Sequence, residues 1–331
     1  MTSHVAATSA HQLYADALEL VYREGRVIEP DRSESNQGEH EYLEVDHVML
    51  ELADSRDRLV TSRDFSFARA ALRFLWIIAG CEDAEPLESL FPRVTRFADD
   101  GIHLTGSAVG ARLQSNDGCT SQLDGVLRRL RDNPTTRRAT AVAWLPKDAS
   151  RRSVDIPCLL TLSWHIRDGK LLGTSVMRAN NVVRLLPYNL FEYTMLTECL
   201  ASELGIEVGS HHHHVISLHA YKPDIQRLGD LGGYVRTASP PLPMAPMPMD
   251  DRPLDQARKA WQIVSEIIIA IRRSDASNAK RMINTASELN PYWLALVRAI
   301  GTEVASVARD TSLARWIDEV HQELVESSSQ A

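Results

Sequence analysis

The residue best suited to covalent chemistry is Cys158, which follows Pro157 directly before an apolar run typical of a β-strand. A thiol in this position is a candidate nucleophile, although a single cysteine after proline is more often an inert part of the core. Arg178 lies further along, at a strand-to-loop boundary where a guanidinium would bind an anion. Because a nearby arginine lowers the pKa of a thiol, the two residues together predict a thiolate beside an anion clamp.

Other polar residues stand at the ends of predicted elements. Asn189 closes the run Leu-Pro-Tyr-Asn, which opens a long apolar helix, so the simplest interpretation makes it a helix N-cap. Arg137 and Arg138 follow a helix-breaking Asn-Pro pair, and Arg32 lies in an early polar loop. A phosphate dianion needs several guanidinium groups, each able to make paired charge-assisted hydrogen bonds.

Together these segments, with His219-Ala220-Tyr221, resemble the thymidylate synthase superfamily and its nucleotide hydroxymethylase relatives across residues 10–245. The resemblance implies an α/β fold with a large mixed β-sheet, flanking helices and a pyrimidine nucleoside monophosphate as substrate. It also implies a homodimer with shared active sites. The site residues it implies are Cys158 as nucleophile, Arg32 and Arg178 on the phosphate, and Arg137 and Arg138 reaching the phosphate of the partner subunit's nucleotide.

The resemblance extends to the base and the sugar. It implies that Asn189 hydrogen-bonds the pyrimidine edge, and that His219 and Tyr221 hold the ribose 3′-hydroxyl. Ala179 replaces a serine that the family places after the phosphate arginine, which leaves room for a ribose 2′-hydroxyl. Attack of the thiolate on C6 turns C5 into a carbanion that then takes an electrophile.

The half of the pattern that would bind folate departs from the family. Asn181 replaces a folate-contacting aspartate, Leu159 a histidine, and Arg73 a catalytic glutamate; Val109-Gly110 and the segment 94–97 also differ. A less closed site would let water capture the one-carbon unit as a hydroxymethyl group. We therefore expect a CMP-type C5 hydroxymethylase with 5,10-methylenetetrahydrofolate as donor, rather than an enzyme making dTMP.

Two alternatives stay open. The same C6 adduct would also serve folate-independent chemistry, such as C5 exchange, loss of a substituent or glycosidic cleavage. A non-catalytic nucleotide-binding protein is the third hypothesis, and the retained Cys158 argues against it. Since an asparagine can turn either side of its amide to a base, the sequence does not separate cytosine from uracil.

The overall composition excludes several other classes. A net charge of -8 over 331 residues provides no basic surface for a nucleic acid polymer. The four cysteines form no CxxC pair, so neither a zinc ribbon nor a disulfide framework is indicated. Residues 211–214 are all histidines, but on a strand they would alternate between faces, and no metal site is expected. Without a signal peptide or a membrane span, a cytoplasmic protein is expected.

The remaining pattern describes the elements that must position the site. Helices are predicted over 10–26, 65–79, 119–132 and 189–204, and strands over 139–144, 159–166, 170–177 and 211–221. Residues 27–45 are polar and rich in turn formers, and 254–327 contain three or four helices. We predict a catalytic domain over 1–237, a Pro/Met-rich linker or strap over 238–253, and a helical extension over 254–331 that packs on the rest.

Overall fold

The computed structural model of the protein describes residues 3–29, 41–114, 121–249 and 252–328. Arg32, predicted to bind phosphate, lies outside these ranges. None of the helices in the described ranges combines the length and apolar character that a bilayer crossing requires.

The described residues form one seven-stranded sheet that carries four of the candidate site residues, Arg178, Ala179, His219 and Tyr221. Its order is β1-β3-β7-β6-β5-β4, with β2 paired to β3 off this path. The β1–β3 and β6–β7 pairs are parallel and the others antiparallel, so the predicted mixed α/β sheet is confirmed. The strands are β1 Ser3–Ala7, β2 Arg26–Ile28, β3 Tyr42–Leu52, β4 Thr140–Val142, β5 Leu159–Arg167, β6 Lys170–Asn181 and β7 Glu207–Tyr221.

Strands β5 and β6 form the predicted hairpin. Its two-residue loop, Asp168-Gly169, has φ values of 50° and 75°, the left-handed conformation that a tight hairpin turn needs. Asp and Gly are the residues that adopt this geometry at low cost. The hairpin places Cys158, just before β5, beside Arg178 near the end of β6: the Arg178 amide donates to the Cys158 carbonyl at 2.9 Å.

The first three strands were not predicted. Strand β3 begins inside the stretch predicted to be polar and turn-rich and includes its last four residues, 42–45; Glu44 and Asp46 alternate there with buried Leu43 and Val45. The strand is stabilised by pairing with β7, more than 150 positions away along the chain, where Glu44 lies opposite His219. Such long-range pairing leaves little local signal.

Helices cover the sheet and build the extension. The predicted helix at 189–204 begins earlier, at Leu186, with Pro187 in its first turn where a missing amide proton costs nothing. The helices are α1 Ala10–Glu24, α2 Phe67–Ile78, α3 Glu85–Glu88, α4 Val109–Gln114, α5 Gln122–Asp132, α6 Leu186–Glu203, α7 Lys222–Ile225, α8 Leu228–Thr237, α9 Pro253–Arg272, α10 Ala276–Thr285, α11 Pro291–Val307 and α12 Thr311–Ser328.

The extension shares its core with the rest of the chain. Trp293 of α11 stacks on Phe74 of α2 with ring centroids 6.4 Å apart, and buried residues of α2, α6, α9 and α11 belong to one continuous apolar cluster. The strap before α9 is held on α6, where the Met247 amide donates to Glu198 at 3.0 Å. The division of the chain at residues 237 and 253 stays a prediction, and the core itself runs across it.

A chain of buried polar side chains lies between the sheet and α6. Ser175 contacts His211 Nε2 at 2.9 Å and His213 Nδ1 at 2.6 Å, and Asn180 Nδ2 contacts His213 Nε2 at 2.9 Å. Tyr193 of α6 stacks on both imidazole rings. Burial, followed by the charge of His214, lowers the pKa of His213 to about 3. The ring is therefore neutral at neutral pH.

This depressed pKa predicts an acid-sensitive fold. An unfolded histidine takes up a proton near its ordinary pKa of 6.5, whereas folded His213 does so only near about 3. Between these values the unfolded chain binds more protons, so His213 lowers the free energy of unfolding as pH falls, by at most about 1.4 kcal/mol per pH unit. Replacing His213→Gln should reduce that slope in urea unfolding between about pH 6.5 and 4.5.

The matched control is His47→Asn, at an exposed position on strand β3 whose side chain forms no hydrogen bond or ion pair with the described residues. It should leave the pH profile of the unfolding free energy unchanged. Parallel profiles for the wild type and His213→Gln would contradict the assignment of this slope to His213.

Candidate functional site

The loop that carries Cys158 is tied to its neighbours before β5 begins. The Asp155 carboxylate accepts hydrogen bonds from the backbone amides of Gly106 and Ser107, at 2.6 and 2.9 Å. Gly106 is required for this approach, because a Cβ there would lie 1.9 Å from the Asp155 carbonyl oxygen. Cys158 itself is half-buried. A loop held in this way fixes the sulfur relative to the sheet.

Arg178 supports the same loop from β6. Its Nε donates to the Pro157 carbonyl at 2.8 Å, and one terminal nitrogen donates to the Ile156 carbonyl at 3.0 Å. The guanidinium thereby lies beside Cys158 with donors left over, since arginine has five N–H groups. The structure thus brings together the predicted nucleophile and the predicted anion clamp.

The thiol of Cys158 is not activated in the way the sequence suggested. Burial raises its pKa above the ordinary value, and the opposing effect of Arg178 is smaller; Asp155 adds to the rise. The expectation of a lowered pKa is therefore wrong for the chain alone, because loss of hydration outweighs one partly engaged guanidinium. Further positive charge near the sulfur, or the approach of an electrophilic carbon, would be needed for a thiolate to form.

Asn189 lies in the first turn of α6, and its side chain is buried. Its Nδ2 donates to Glu192 Oε2 at 3.2 Å, one turn further along the helix. Its Oδ1 is buried and has no hydrogen-bond partner among the described residues. An unpaired acceptor in such a place costs about 1–3 kcal/mol, so this oxygen is well suited to a ligand's donor.

Glu192 is held from its other side by Arg73 of α2. Arg73 Nε donates to Glu192 Oε1, and a terminal nitrogen approaches Oε2 at 3.3 Å. Burial by itself would lower the pKa of Arg73, but the Glu192 carboxylate outweighs it and raises that pKa. Burial raises the pKa of Tyr193; Glu192 and Cys158 add to this rise, and Arg73 opposes it. Tyr193 therefore lies within electrostatic reach of all three side chains.

The ends of β6 and β7 supply the residues predicted to hold a sugar. His219 is buried, and burial lowers its pKa to about 4; the Ser217 carbonyl opposes this and the Arg178 charge adds to it. Its ring contacts that of Tyr221 edge-on, with centroids 4.9 Å apart. Ala179 lies on β6 and is paired with Ser217 of β7. A neutral imidazole in this place can both donate and accept a hydrogen bond.

Asn181 has a structural task that a folate-binding residue would not share. Its Oδ1 accepts from the backbone amides of Val183 and Arg184, at 3.0 and 2.7 Å, which closes the turn between β6 and α6. Its Nδ2 is buried without a partner in the described part of the chain. Asn181 therefore offers a donor where the family resemblance implies a carboxylate acceptor, and does not fit folate held in that way.

Two of the predicted phosphate ligands stand apart from this cluster. Arg137 and Arg138 are exposed in the segment between α5 and β4, and within the described ranges neither guanidinium forms a hydrogen bond or an ion pair. The preceding turn is stabilised by Asn133, whose side chain accepts from the Thr135 amide at 3.1 Å. Both side chains project from the surface of the chain.

The Arg73–Glu192 pair was the main site feature that sequence reasoning missed. A signal was present, because Glu192 stands in a helix predicted to be buried, and a buried carboxylate requires a partner. Its spacing of three residues from Asn189 also places both on one helix face. Among the described residues, no group of three His, Cys, Asp or Glu side chains could hold a metal ion.

Comparison with known proteins places these residues in a wider context. The family model described as thymidylate synthase matches residues 12–253. A deoxyuridylate hydroxymethyltransferase of Bacillus phage SP01 is 31% identical over 228 residues, which cover 64% of this chain and 57% of the phage protein. A thymidylate synthase of Bacillus subtilis subsp. natto is 30% identical over 192 residues, 56% of this chain and 68% of that protein.

The fold has a counterpart among solved structures. Thermostable thymidylate synthase A from Bacillus subtilis superimposes with a TM-score of 0.56 over 68% of this chain and 84% of that one. Only 22% of the aligned residues are identical, so the likeness concerns the fold. The chain spans little more than half of the phage relative, and the helical extension lies beyond the residues that the family model matches.

Proposed function

Because the chain belongs to the thymidylate synthase family, we propose that it transfers a one-carbon unit to C5 of a pyrimidine nucleoside monophosphate and releases a hydroxymethylated product of the CMP type. The observation that carries the proposal is the placement of Cys158 beside Arg178, together with the unpaired Asn189 Oδ1. Cys158 and Arg178 supply a nucleophile and an anion ligand. Asn189 supplies a base-reading acceptor, and its partner Glu192 acts on the same tyrosine, Tyr193, as Cys158 does.

The nucleotide would be held by its phosphate, sugar and base separately. Arg178 retains N–H donors beyond those bound to the loop carbonyls, and we assign it to the phosphate together with Arg32. His219 and Tyr221 would hold the ribose hydroxyls. Asn189 would read the base edge through its free oxygen.

The chemistry assigned to Cys158 passes through a covalent adduct. The thiol gives its proton to water, the sulfur bonds to C6, and the C5–C6 π pair moves onto C5 and the adjoining ring atoms. C5 then bonds to the electrophilic carbon, whose bond to its carrier is broken and replaced by a bond to a water oxygen, and C5 gives up its proton. The pair left on C5 re-forms the C5–C6 π bond, while the C6–S pair leaves with the sulfur and frees Cys158.

We propose 5,10-methylenetetrahydrofolate as donor, which when bound supplies a carbon at the oxidation level of formaldehyde. The phage relative bears a hydroxymethyltransferase name, which supports this assignment. Asn181 and Arg73 both differ from the residues that the family resemblance implies for folate chemistry. A site whose folate-binding residues are altered in this way favours water as the final nucleophile at the one-carbon unit.

The same two residues favour a second candidate. Arg73 is engaged with Glu192, and the Asn181 oxygen is used within a turn, so neither offers the acceptor that a reduced pterin needs. Folate-independent chemistry on the C6 adduct, such as exchange at C5, removal of a substituent or glycosidic cleavage, would need only the nucleotide half. Product formation without any added folate would favour this candidate.

Replacing Cys158→Ala should abolish turnover and leave nucleotide affinity nearly unchanged, because the sulfur forms the adduct while the phosphate contacts supply most of the affinity. The measurement is mass spectrometry of products from CMP, UMP, dCMP and dUMP with and without methylenetetrahydrofolate, alongside calorimetric titration with each nucleotide. Cys81→Ala, another half-buried cysteine outside the site, is the matched control and should keep full activity. A fully active Cys158→Ala enzyme would contradict the mechanism in which Cys158 bonds to C6.

Ala179 should favour ribonucleotides over 2′-deoxynucleotides, because its small side chain on β6 leaves space beside the sugar-binding strands. Ala179→Ser should shift the preference toward the deoxy form by about 1 kcal/mol, the net value of one hydrogen bond. The comparison is kcat/KM for CMP against dCMP and for UMP against dUMP, in both proteins. A wild type that prefers the deoxy form in both pairs would overturn this assignment.

We also propose a homodimer in which each subunit supplies Arg137 and Arg138 to the other's phosphate. Their exposure and lack of partners among the described residues support this role. Mixing inactive Cys158→Ala with inactive Arg138→Ala should then restore part of the activity, because one of the two sites in a heterodimer has both residues. Arg128→Ala, at an exposed position on α5, is the control and should be active alone. No recovery after confirmed subunit exchange would count against shared sites.

A further inference from the structure

The side chain that faces the base is itself held in one orientation by its neighbours. Glu192 accepts a hydrogen bond from Asn189 Nδ2 at 3.2 Å, while Arg73 binds the same carboxylate from α2. The Glu192 side chain is only 1% exposed, and that of Arg73 is 23% exposed. These contacts connect Arg73 of α2, through Glu192, to the side-chain amide of Asn189 in the first turn of α6.

The chemistry of Glu192 decides which way round the amide lies. An ionised carboxylate can only accept hydrogen bonds, so the Asn189 atom that faces it must be the nitrogen. With the amide turned the other way, two oxygens would meet in a buried place, and the Asn189 nitrogen would lose its partner. The Asn189 oxygen is therefore turned away from Glu192, where it has no partner among the described residues.

A fixed amide reads only one of the two pyrimidine edges. Cytosine carries an amino donor at position 4 and an acceptor at N3, whereas uracil carries an acceptor at position 4 and a donor at N3. The two bases therefore require opposite placements of the amide oxygen and nitrogen. An asparagine free to turn would bind both bases, and one that cannot turn must leave polar atoms of the wrong base unpaired.

We propose that Glu192, held by Arg73, is a positioning residue that fixes the Asn189 amide and thereby sets the preference between cytosine and uracil. The proposal rests on the proposed function, because it requires a pyrimidine nucleotide in the site. Glu192 acts through Asn189 and needs no contact with the substrate. Arg73 contributes by pairing with the Glu192 carboxylate and holding it in place.

The test compares dissociation constants for CMP and UMP by calorimetric titration. The wild type should discriminate by about 10-fold or more, as expected when buried polar atoms of the wrong base stay unpaired. Glu192→Gln should bring the two constants to within about threefold, because a glutamine amide can pair with Asn189 in either orientation. Most of the change should come from tighter binding of the disfavoured base.

Two further variants separate this role from a general effect on folding. Glu198→Gln removes a carboxylate from another buried ion pair on α6, with Arg58, and should leave the CMP:UMP ratio unchanged. The double variant Arg73→Gln/Glu192→Gln leaves no unpaired buried charge and should relax the ratio as Glu192→Gln does. In an Asn189→Ala background, Glu192→Gln should have no effect on the ratio.

The outcomes distinguish the inference from the function on which it rests. A wild type that binds neither CMP nor UMP would refute the proposed function itself. If the wild type binds both equally, or discriminates and keeps its ratio in Glu192→Gln and in the double variant, the positioning role is refuted and the function is not. An equal loss of discrimination in Glu198→Gln would also refute it.

Discussion

The burial of α6 is the constraint on which the rest of the molecule depends. This helix lies on the sheet, with α2 and α9 packed against it, and nearly all its side chains are buried. Two of those side chains are glutamates, and a carboxylate in such a place is tolerated only when it is paired and hydrogen-bonded. Arg73 pairs with Glu192 at the site end, and Arg58 pairs with Glu198 further along.

These two ion pairs connect segments that are far apart along the chain. Arg58 and Arg73 come from the segment before and within α2, and Glu198 also binds the backbone amide of Met247 in the strap. The geometry near Asn189 and the path of the strap are thus determined by one helix. A displacement of that helix would alter both.

The placement of Cys158 beside Arg178 could be predicted because both residues lie in short segments with distinctive patterns. The Asp-Gly turn set the β5–β6 hairpin, which brought Cys158 and Arg178 together as expected. The Arg73–Glu192 pair could not be predicted, because it depends on α2 packing beside α6 across 119 positions of sequence. The shift in the pKa of Cys158 was predicted in the wrong direction, because desolvation depends on the three-dimensional surroundings of the thiol and cannot be read from the sequence.

The contact between α2 and α11 has a consequence for the order in which the chain is completed. Ser66, the N-cap of α2, binds Glu303 across 237 positions, and Phe74 of the same helix stacks on Trp293. On a ribosome the early part of a chain is exposed before the late part exists. The side of α2 that packs on α11 therefore stays uncovered until α11 has emerged. The protein consequently has a long interval during synthesis in which this surface is open to aggregation or to a chaperone.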